Sequence, residues 1–356
     1  MVHRMPASEE ASTPARRDLR SLPKAHLHLH LTGGMRPATL VELAEEQAHR
    51  LPAELLDPHG TRLDVTARRG WSRFQRLYDA AREVLRGPDD LRRLVVEIAE
   101  DEREAGSGWV EVQVDPTSYA ARAGGLQGTV ELVLDAMTEA TRSTGVGMGL
   151  VIAANRTRHP GDAETLARLA RRFVGRGVVG FGLSNDETRG RPEEFAKAFR
   201  IAREAGLLAV PHAGELRGER SVRAAVEVLQ ADRLGHGVRA VEDPPTMALL
   251  AEQGVVLEVC PASNVALGVA GALEEVPVRT LRAAGVPVAL GADDPLLFRS
   301  GLLEQYEAVR RSDDLSDDAL ADLARCAVRG SAAPDDVRTR LEVGIDAWLA
   351  APTPGA

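Results

Sequence analysis

Short apolar runs alternate with longer amphipathic segments along most of this chain. The apolar runs predict strands, and they lie at residues 25–31, 109–114, 147–154, 178–183, 207–212, 233–235, 255–259 and 287–290. Between most of them, apolar residues recur at three- and four-residue intervals, which predicts helices at 90–105, 129–141, 162–174, 193–205 and 221–230. Strands that alternate with helices in this way favour an α/β fold, a (β/α)8 TIM barrel. An open doubly wound sheet is the alternative.

The rest of the pattern indicates how the chain is organised. We expect one barrel domain at residues 21–350, because a barrel of this kind takes about 250 residues or more. The polar, aperiodic segments at 1–20 and 351–356 predict disordered tails. About residues 32–108 separate the first two strands and carry a helical pattern of their own. This predicted helical insertion is either a lid over the barrel mouth or a structural cap.

Composition narrows the class of protein. Hydrophobic residues make up 44% of the chain, and no stretch approaches the ~20 apolar residues of a membrane helix. The N-terminus lacks the apolar core of a signal peptide, so a cytoplasmic enzyme with no membrane partner is expected. A net charge of −9 argues against nucleic acid as a partner. With only Cys260 and Cys326 available, a transition metal must be bound by histidine and carboxylate.

Histidines occupy every second position of the first apolar run. His26, His28 and His30 alternate with leucines, so in a strand the three imidazoles share one face. Buried neutral imidazoles are costly without a partner, and a divalent metal is a common one. A surface histidine cluster, or one histidine satisfied in the core, is the alternative interpretation.

Further polar residues follow the C-terminal ends of other predicted strands. His212 precedes Glu215 by three residues, His236 lies between two glycines, and Asp293-Asp294 follow the eighth strand. Active sites of α/β barrels are built on that one rim, so these side chains are expected to converge. Each motif alone is weak, since the glycines also suit a turn and the two aspartates could cap a helix.

Together and in this order, the motifs resemble those of the adenosine deaminase family. The resemblance covers most of residues 21–349. It rests on the His-x-His pair at 28–30, His-Ala-Gly-Glu at 212–215, Gly-His-Gly at 235–237, Glu-Val-Cys-Pro-x-Ser-Asn at 258–264 and Asp-Asp-Pro at 293–295. It implies a barrel that holds one zinc ion per chain and removes the amino group of a 6-aminopurine nucleoside by hydrolysis. The expected partner is that small molecule, and the oligomeric state is left open.

The resemblance also implies a role for each site residue. The implied zinc ligands are His28, His30, His212 and Asp293. Glu215 would donate a proton to N1 of the purine, and His236 would activate the attacking water. The implied substrate-binding residues are His30, Thr32, Asn185 and Asp294, with Asp294 at N7 and the Asn185 backbone at N3.

Three positions depart from the family pattern. Thr32 replaces an aspartate that contacts the ribose 5′-hydroxyl in adenosine-specific enzymes, and Asn185 replaces a glycine. His26 replaces a glutamate, and we interpret it as a histidine behind the ligands or in the core. Adenosine, converted to inosine and ammonia, is the expected substrate. A 5′-modified aminopurine nucleoside such as aminodeoxyfutalosine is the alternative.

Two further functions are alternatives to deamination. A binuclear hydrolase of amides or phosphoesters often bridges its metals with a modified lysine. The chain has only Lys24 and Lys197, neither of them near residues 178–187. A catalytically dead nucleoside-binding protein is disfavoured because ligands, proton donor and water-activating histidine occur together.

Overall fold

Eight parallel strands form a nearly closed barrel in the computed structural model, which describes residues 16–352 except 66 and 68. The strands are β1 (Lys24–His30), β2 (Ser107–Val114), β3 (Gly147–Asn155), β4 (Val178–Ser184), β5 (Leu208–Ala213), β6 (Arg233–His236), β7 (Val256–Val259) and β8 (Val288–Leu290). They follow one another around the sheet in chain order. Beyond β8, Asp293 bridges back to β1, where its backbone N–H donates to the His28 oxygen at 3.0 Å. The predicted (β/α)8 TIM barrel is confirmed, and the open-sheet alternative is wrong.

Helices alternate with the strands and cover the outside of the barrel. Within the described residues the helices are α1 (Pro37–Glu46), α2 (Gly70–Glu83), α3 (Pro88–Glu104), α4 (Gly125–Thr144), α5 (Pro160–Arg171), α6 (Pro192–Glu204), α7 (Glu219–Glu227), α8 (Pro244–Gln253), α9 (Pro261–Ala266), α10 (Val278–Ala283), α11 (Pro295–Phe298), α12 (Leu302–Ser312), α13 (Asp317–Gly330) and α14 (Asp335–Ala350). Their apolar faces pack on strands that are themselves buried on both sides. Phe199 of α6, for example, meets Phe181 of β4 edge to face, with ring centroids 5.2 Å apart.

The segment between β1 and β2 is helical, as its sequence predicts. Its last helix, α3, packs on β2 and α4 and so belongs to the outer ring of the barrel. Helix α2 lies over the barrel mouth, where Trp71 donates to the side-chain oxygen of Asn185 at 3.1 Å. Gln75, one turn later, accepts from the Asn185 amide at 2.8 Å. This position is the one a lid would occupy.

The chain ends differ from the predicted tails at one boundary. Residues 16–20 pack against the C-terminal helix: Leu19 is buried, Arg17 donates to the Leu349 oxygen at 2.7 Å, and Trp348 donates to the Asp18 oxygen at 3.0 Å. Contacts with α14, which no local pattern reveals, order this polar segment. Residues 1–15 and 353–356 lie outside the described part of the chain. None of the described helices has the length and apolar character needed to span a membrane.

Candidate active site

The polar residues that follow the predicted strands lie close together at the C-terminal rim of the barrel. His30, His212, Glu215, His236 and both aspartates after β8 line one cavity of about 540 Å³. His28 lies directly beneath, with its ring centroid 4.6 Å from that of His212 and 4.9 Å from that of His236. A pocket of this volume suits a small-molecule ligand.

Four of these side chains could hold a metal ion. His30 Nε2 is 3.2 Å from His212 Nε2 and 3.3 Å from Asp293 Oδ1, which is 3.5 Å from His28 Nε2. Ligands about 2.0–2.1 Å from a tetrahedral ion lie roughly 3.3 Å from one another. The observed spacing therefore fits a small divalent cation, and His28 Nε2 is buried without a hydrogen-bond partner.

A glycine makes this histidine cluster possible. A β-carbon added at Gly235 would lie 2.7 Å from the His28 ring and 3.0 Å from the His212 ring. Contacts that short are strongly disfavoured, so any other residue at this position would push the two histidine rings apart. Gly235, one of the two glycines that flank His236, thus makes room for the His28 and His212 rings.

A series of buried charged side chains fixes the orientation of the His28 ring. Its Nδ1 donates to Glu258 Oε2 at 2.9 Å, which leaves Nε2 directed at the metal position. Glu258 in turn accepts from Arg233 at 2.7 Å, and Arg233 also donates to Glu111. All three charged side chains are at most 1% exposed.

The electrostatics of this cluster suit a cation. Burial opposes the charge on His28, but the neighbouring carboxylates of Asp293 and Glu258 raise its pKa to about 10. Burial also opposes the charge on Asp293, but the adjacent imidazoles of His28 and His30 hold the pKa of its carboxyl well below its usual range. A proton and a metal ion compete for the same His28 nitrogen, and either neutralises the buried carboxylates.

Glu215 and His236 face each other beside the ligands. Glu215 Oε2 lies 3.7 Å from His236 Nε2, and both side chains are at most 4% exposed. Burial, reinforced by the charges of Asp293 and Glu187, raises the pKa of Glu215 well above its usual value. Burial lowers the pKa of His236 to about 3. The raised pKa of Glu215 favours its protonated form and the lowered pKa of His236 favours a neutral imidazole, the states that a general acid and a base require.

Glu187 is a site residue that the sequence did not single out. Its carboxylate accepts hydrogen bonds at 2.6–3.0 Å from the backbone N–H groups of residues 214–217 and from the Ser221 hydroxyl. These N–H groups form the turn that carries Glu215. The only available signal was an acidic residue following β4, at the same rim as the other site residues.

Strained backbone marks three positions of the site. His236, Asp293 and Asn185 have φ angles of 64°, 62° and 78°. Such left-handed conformations cost about 1–3 kcal/mol in non-glycine residues and cluster at functional sites. Asparagine tolerates this conformation better than most residues do, which accounts for Asn185 at a position where the family has glycine.

The residues expected to bind the substrate are placed less uniformly. Asn185 and Asp294 line the cavity, and burial together with the charge of Asp293 raises the pKa of Asp294 well above its usual value. Thr32 is fully buried and does not line the cavity, because its hydroxyl is hydrogen-bonded to the Tyr119 hydroxyl at 2.6 Å. Tyr119 forms the cavity wall in its place.

His26 lies one pleat below His28 in β1, deeper in the barrel. Its Nδ1 donates to Glu102 at 2.6 Å, and its Nε2 accepts from the Ala292 N–H at 2.9 Å. Ala292 directly precedes Asp293, so His26 helps to position the Asp293 side chain at the rim.

Comparisons with known proteins agree with this geometry. The family model described as adenosine deaminase matches residues 23–348. A putative adenosine/adenine deaminase of Streptomyces virginiae is 61% identical over 94% of this chain and 98% of its own. An aminodeoxyfutalosine deaminase of Acidothermus cellulolyticus is 33% identical over 82% of this chain and 83% of its own.

Solved structures lead to the same family. The adenine deaminase of Arthrobacter aurescens superposes with a TM-score of 0.84 and 28% identity, covering 92% of this chain and 99% of its own. A Burkholderia ambifaria amidohydrolase with bound zinc gives 0.81 and 26%, covering 95% and 98%. On these matches the chain belongs to the adenosine deaminase family and is a hydrolytic deaminase that acts on an aminopurine.

Proposed function

We propose that this enzyme is a zinc-dependent deaminase of 6-aminopurine nucleosides that converts adenosine to inosine and ammonia. The observation that carries the proposal is the rim of the barrel, where the metal-ligating set lies beside a buried acid and a buried neutral histidine. Zinc is the proposed metal because three imidazoles and one carboxylate at this spacing suit it. We propose one ion per chain, held by His28, His30, His212 and Asp293.

The protein's own residues account for the proton transfers. A zinc ion bound at this site supplies Lewis acidity that makes a water molecule nucleophilic near neutral pH. His236, kept neutral by burial, accepts the proton of the water that attacks C6. Glu215, kept protonated by burial, donates to N1 as the ring loses its aromaticity.

The remaining polar groups of the cavity orient the purine. Asp294 is a buried carboxyl whose raised pKa favours the protonated form, so it can donate a hydrogen bond to N7. Its Oδ1 has no partner among the described residues. The backbone N–H of Asn185 is proposed to reach N3 from the opposite wall of the cavity.

A second candidate substrate is a nucleoside modified at the 5′ position, such as aminodeoxyfutalosine. The specific observation in its favour is Thr32, which is neutral and already bonded to Tyr119. No carboxylate is therefore available at that position to select a free 5′-hydroxyl.

Ammonia release from a substrate panel tests the proposal. Purified enzyme is assayed with adenosine, 5′-deoxyadenosine, aminodeoxyfutalosine and adenine, with His28→Ala as the inactive control. We expect kcat/KM for adenosine to be the highest in the panel, or to lie within about tenfold of the value for the best substrate. Activity confined to free adenine would overturn the nucleoside proposal, and equal activity in His28→Ala would overturn the metal assignment.

A further inference from the structure

A glutamine in the cavity wall is buried without any hydrogen-bond partner. Gln113, near the end of β2, is 2% exposed and lines the active-site cavity. Neither its side-chain oxygen nor its side-chain nitrogen is hydrogen-bonded to any described residue. An unpaired buried amide of this kind costs about 1–3 kcal/mol, so it normally has a water or ligand as its partner.

Several polar side chains near Gln113 in this wall are already hydrogen-bonded within the protein. The Thr32 and Tyr119 hydroxyls bond to each other, and Ser118 accepts from Arg82 at 3.1 Å. Gln75, the other glutamine of the cavity, bonds to both Asn185 and Asp79. Gln113 thus offers a free donor and a free acceptor together, and Ala153 beside it in the cavity lining adds only a methyl group.

The order of the strands around the barrel places Gln113 on the wall that faces the sugar side of the substrate. On the proposed function, Glu215 after β5 engages N1 and Asp294 after β8 engages N7. The N9 side of the purine, which carries the sugar, must then face the remaining wall, formed by β2, β3, β4 and α2. Gln113 belongs to that wall and pairs in register with His30 of β1.

We infer that Gln113 is a specificity-determining residue that binds a ribose hydroxyl of the nucleoside. A hydroxyl group both donates and accepts hydrogen bonds, and a carboxamide complements both functions. In the free enzyme, water takes the place of the hydroxyl. This inference rests on the proposed function, because a free purine base would have no hydroxyl to offer.

Gln113→Leu tests the inference by removing both polar atoms at nearly constant size. We expect kcat/KM for adenosine to fall about tenfold, as one or two net hydrogen bonds of about 0.5–1.5 kcal/mol would give. The loss should come mainly through KM. For 9-methyladenine, which lacks the sugar, the value should stay within about twofold of wild type.

Three deoxynucleosides identify the hydroxyl. With 2′-, 3′- and 5′-deoxyadenosine, one substrate should lose efficiency in the wild type but show no further loss in Gln113→Leu. Gln75→Leu is the matched control, because its amide bonds protein groups and its loss should affect adenosine and 9-methyladenine equally. Zinc content and the unfolding midpoint establish that each variant is folded. If Gln113→Leu does not fold, Gln113→Met is tested in its place.

The outcomes separate the two proposals. Equal losses on adenosine and 9-methyladenine in Gln113→Leu would mean that Gln113 only supports His30, and would overturn the inference alone. An unchanged kcat/KM for adenosine would overturn it too, since the amide would then face only water. A wild type active on adenine but on no nucleoside would overturn both the inference and the proposed function.

Discussion

Replacing Glu187 by glutamine tests whether the turn after β5 sets the rate. One carboxylate oxygen accepts from the Gly214 N–H and the Ser221 hydroxyl, both at 2.6 Å. The other accepts from the N–H groups of Glu215, Leu216 and Arg217 at 2.6–3.0 Å. In Glu187→Gln an NH2 group must face one of these two sets of donors.

The structure gives the size of the effect. In the better orientation the NH2 replaces the first oxygen, so Ser221 can rotate to accept but the Gly214 N–H is left without an acceptor. An unpaired buried N–H costs about 1–3 kcal/mol, and the other bonds lose their charge assistance. We expect a total loss of about 2–4 kcal/mol in the free energy of unfolding. Because the same turn carries Glu215, we also expect kcat to fall about 10- to 100-fold, since small displacements of reacting groups are costly.

Urea unfolding and steady-state ammonia release measure the two effects, with zinc content as a check on the site. Ser221→Ala is the control: it removes one hydroxyl and leaves no N–H unpaired. It should cost about 1 kcal/mol and leave kcat within about twofold. If Glu187→Gln is destabilised while kcat stays within twofold of wild type, the turn does not determine the placement of Glu215, and the reasoning is refuted.

Three other outcomes are expected. Glu215→Gln should retain zinc but lose about 10²–10⁴-fold in kcat, because an amide cannot supply the proton to N1; a loss below about tenfold would contradict its role. Glu258→Gln should weaken zinc binding about 10- to 100-fold, measured by competition with a chelator, since the carboxylate orients His28; an unchanged zinc affinity would contradict this role of Glu258. Wild-type kcat/KM for 5′-deoxyadenosine should be within about tenfold of that for adenosine, because Thr32 provides no carboxylate. Discrimination above about 100-fold would require another 5′-hydroxyl partner.

The architecture was predictable because each strand is a compact apolar run. The strand expected at 25–31 is observed as Lys24–His30, and the one at 178–183 as Val178–Ser184. The convergence of His28, His212 and Asp293 followed from the rule that barrel strands end at one rim. The position of Thr32 was not predictable, since it depends on a hydroxyl partner, Tyr119, that is 87 residues away in the chain.

Long-range side-chain to backbone contacts account for the other differences. Glu187 holds N–H groups 27–30 residues further along, and backbone groups carry no sequence signal. Gln113 is one polar residue in an alternating strand, and only the folded structure shows that its amide has no partner. The order of residues 16–20 likewise depends on contacts with α14, more than 300 residues away.

Zinc titration of the metal-stripped enzyme tests the central claim most directly. The claim is that His28, His30, His212 and Asp293 hold one zinc ion that deamination requires. Ammonia release from adenosine should rise in proportion to added zinc and reach its plateau at one ion per chain, while His212→Ala binds none and stays inactive. A plateau at two ions per chain, or full activity in the metal-stripped enzyme, would contradict the account.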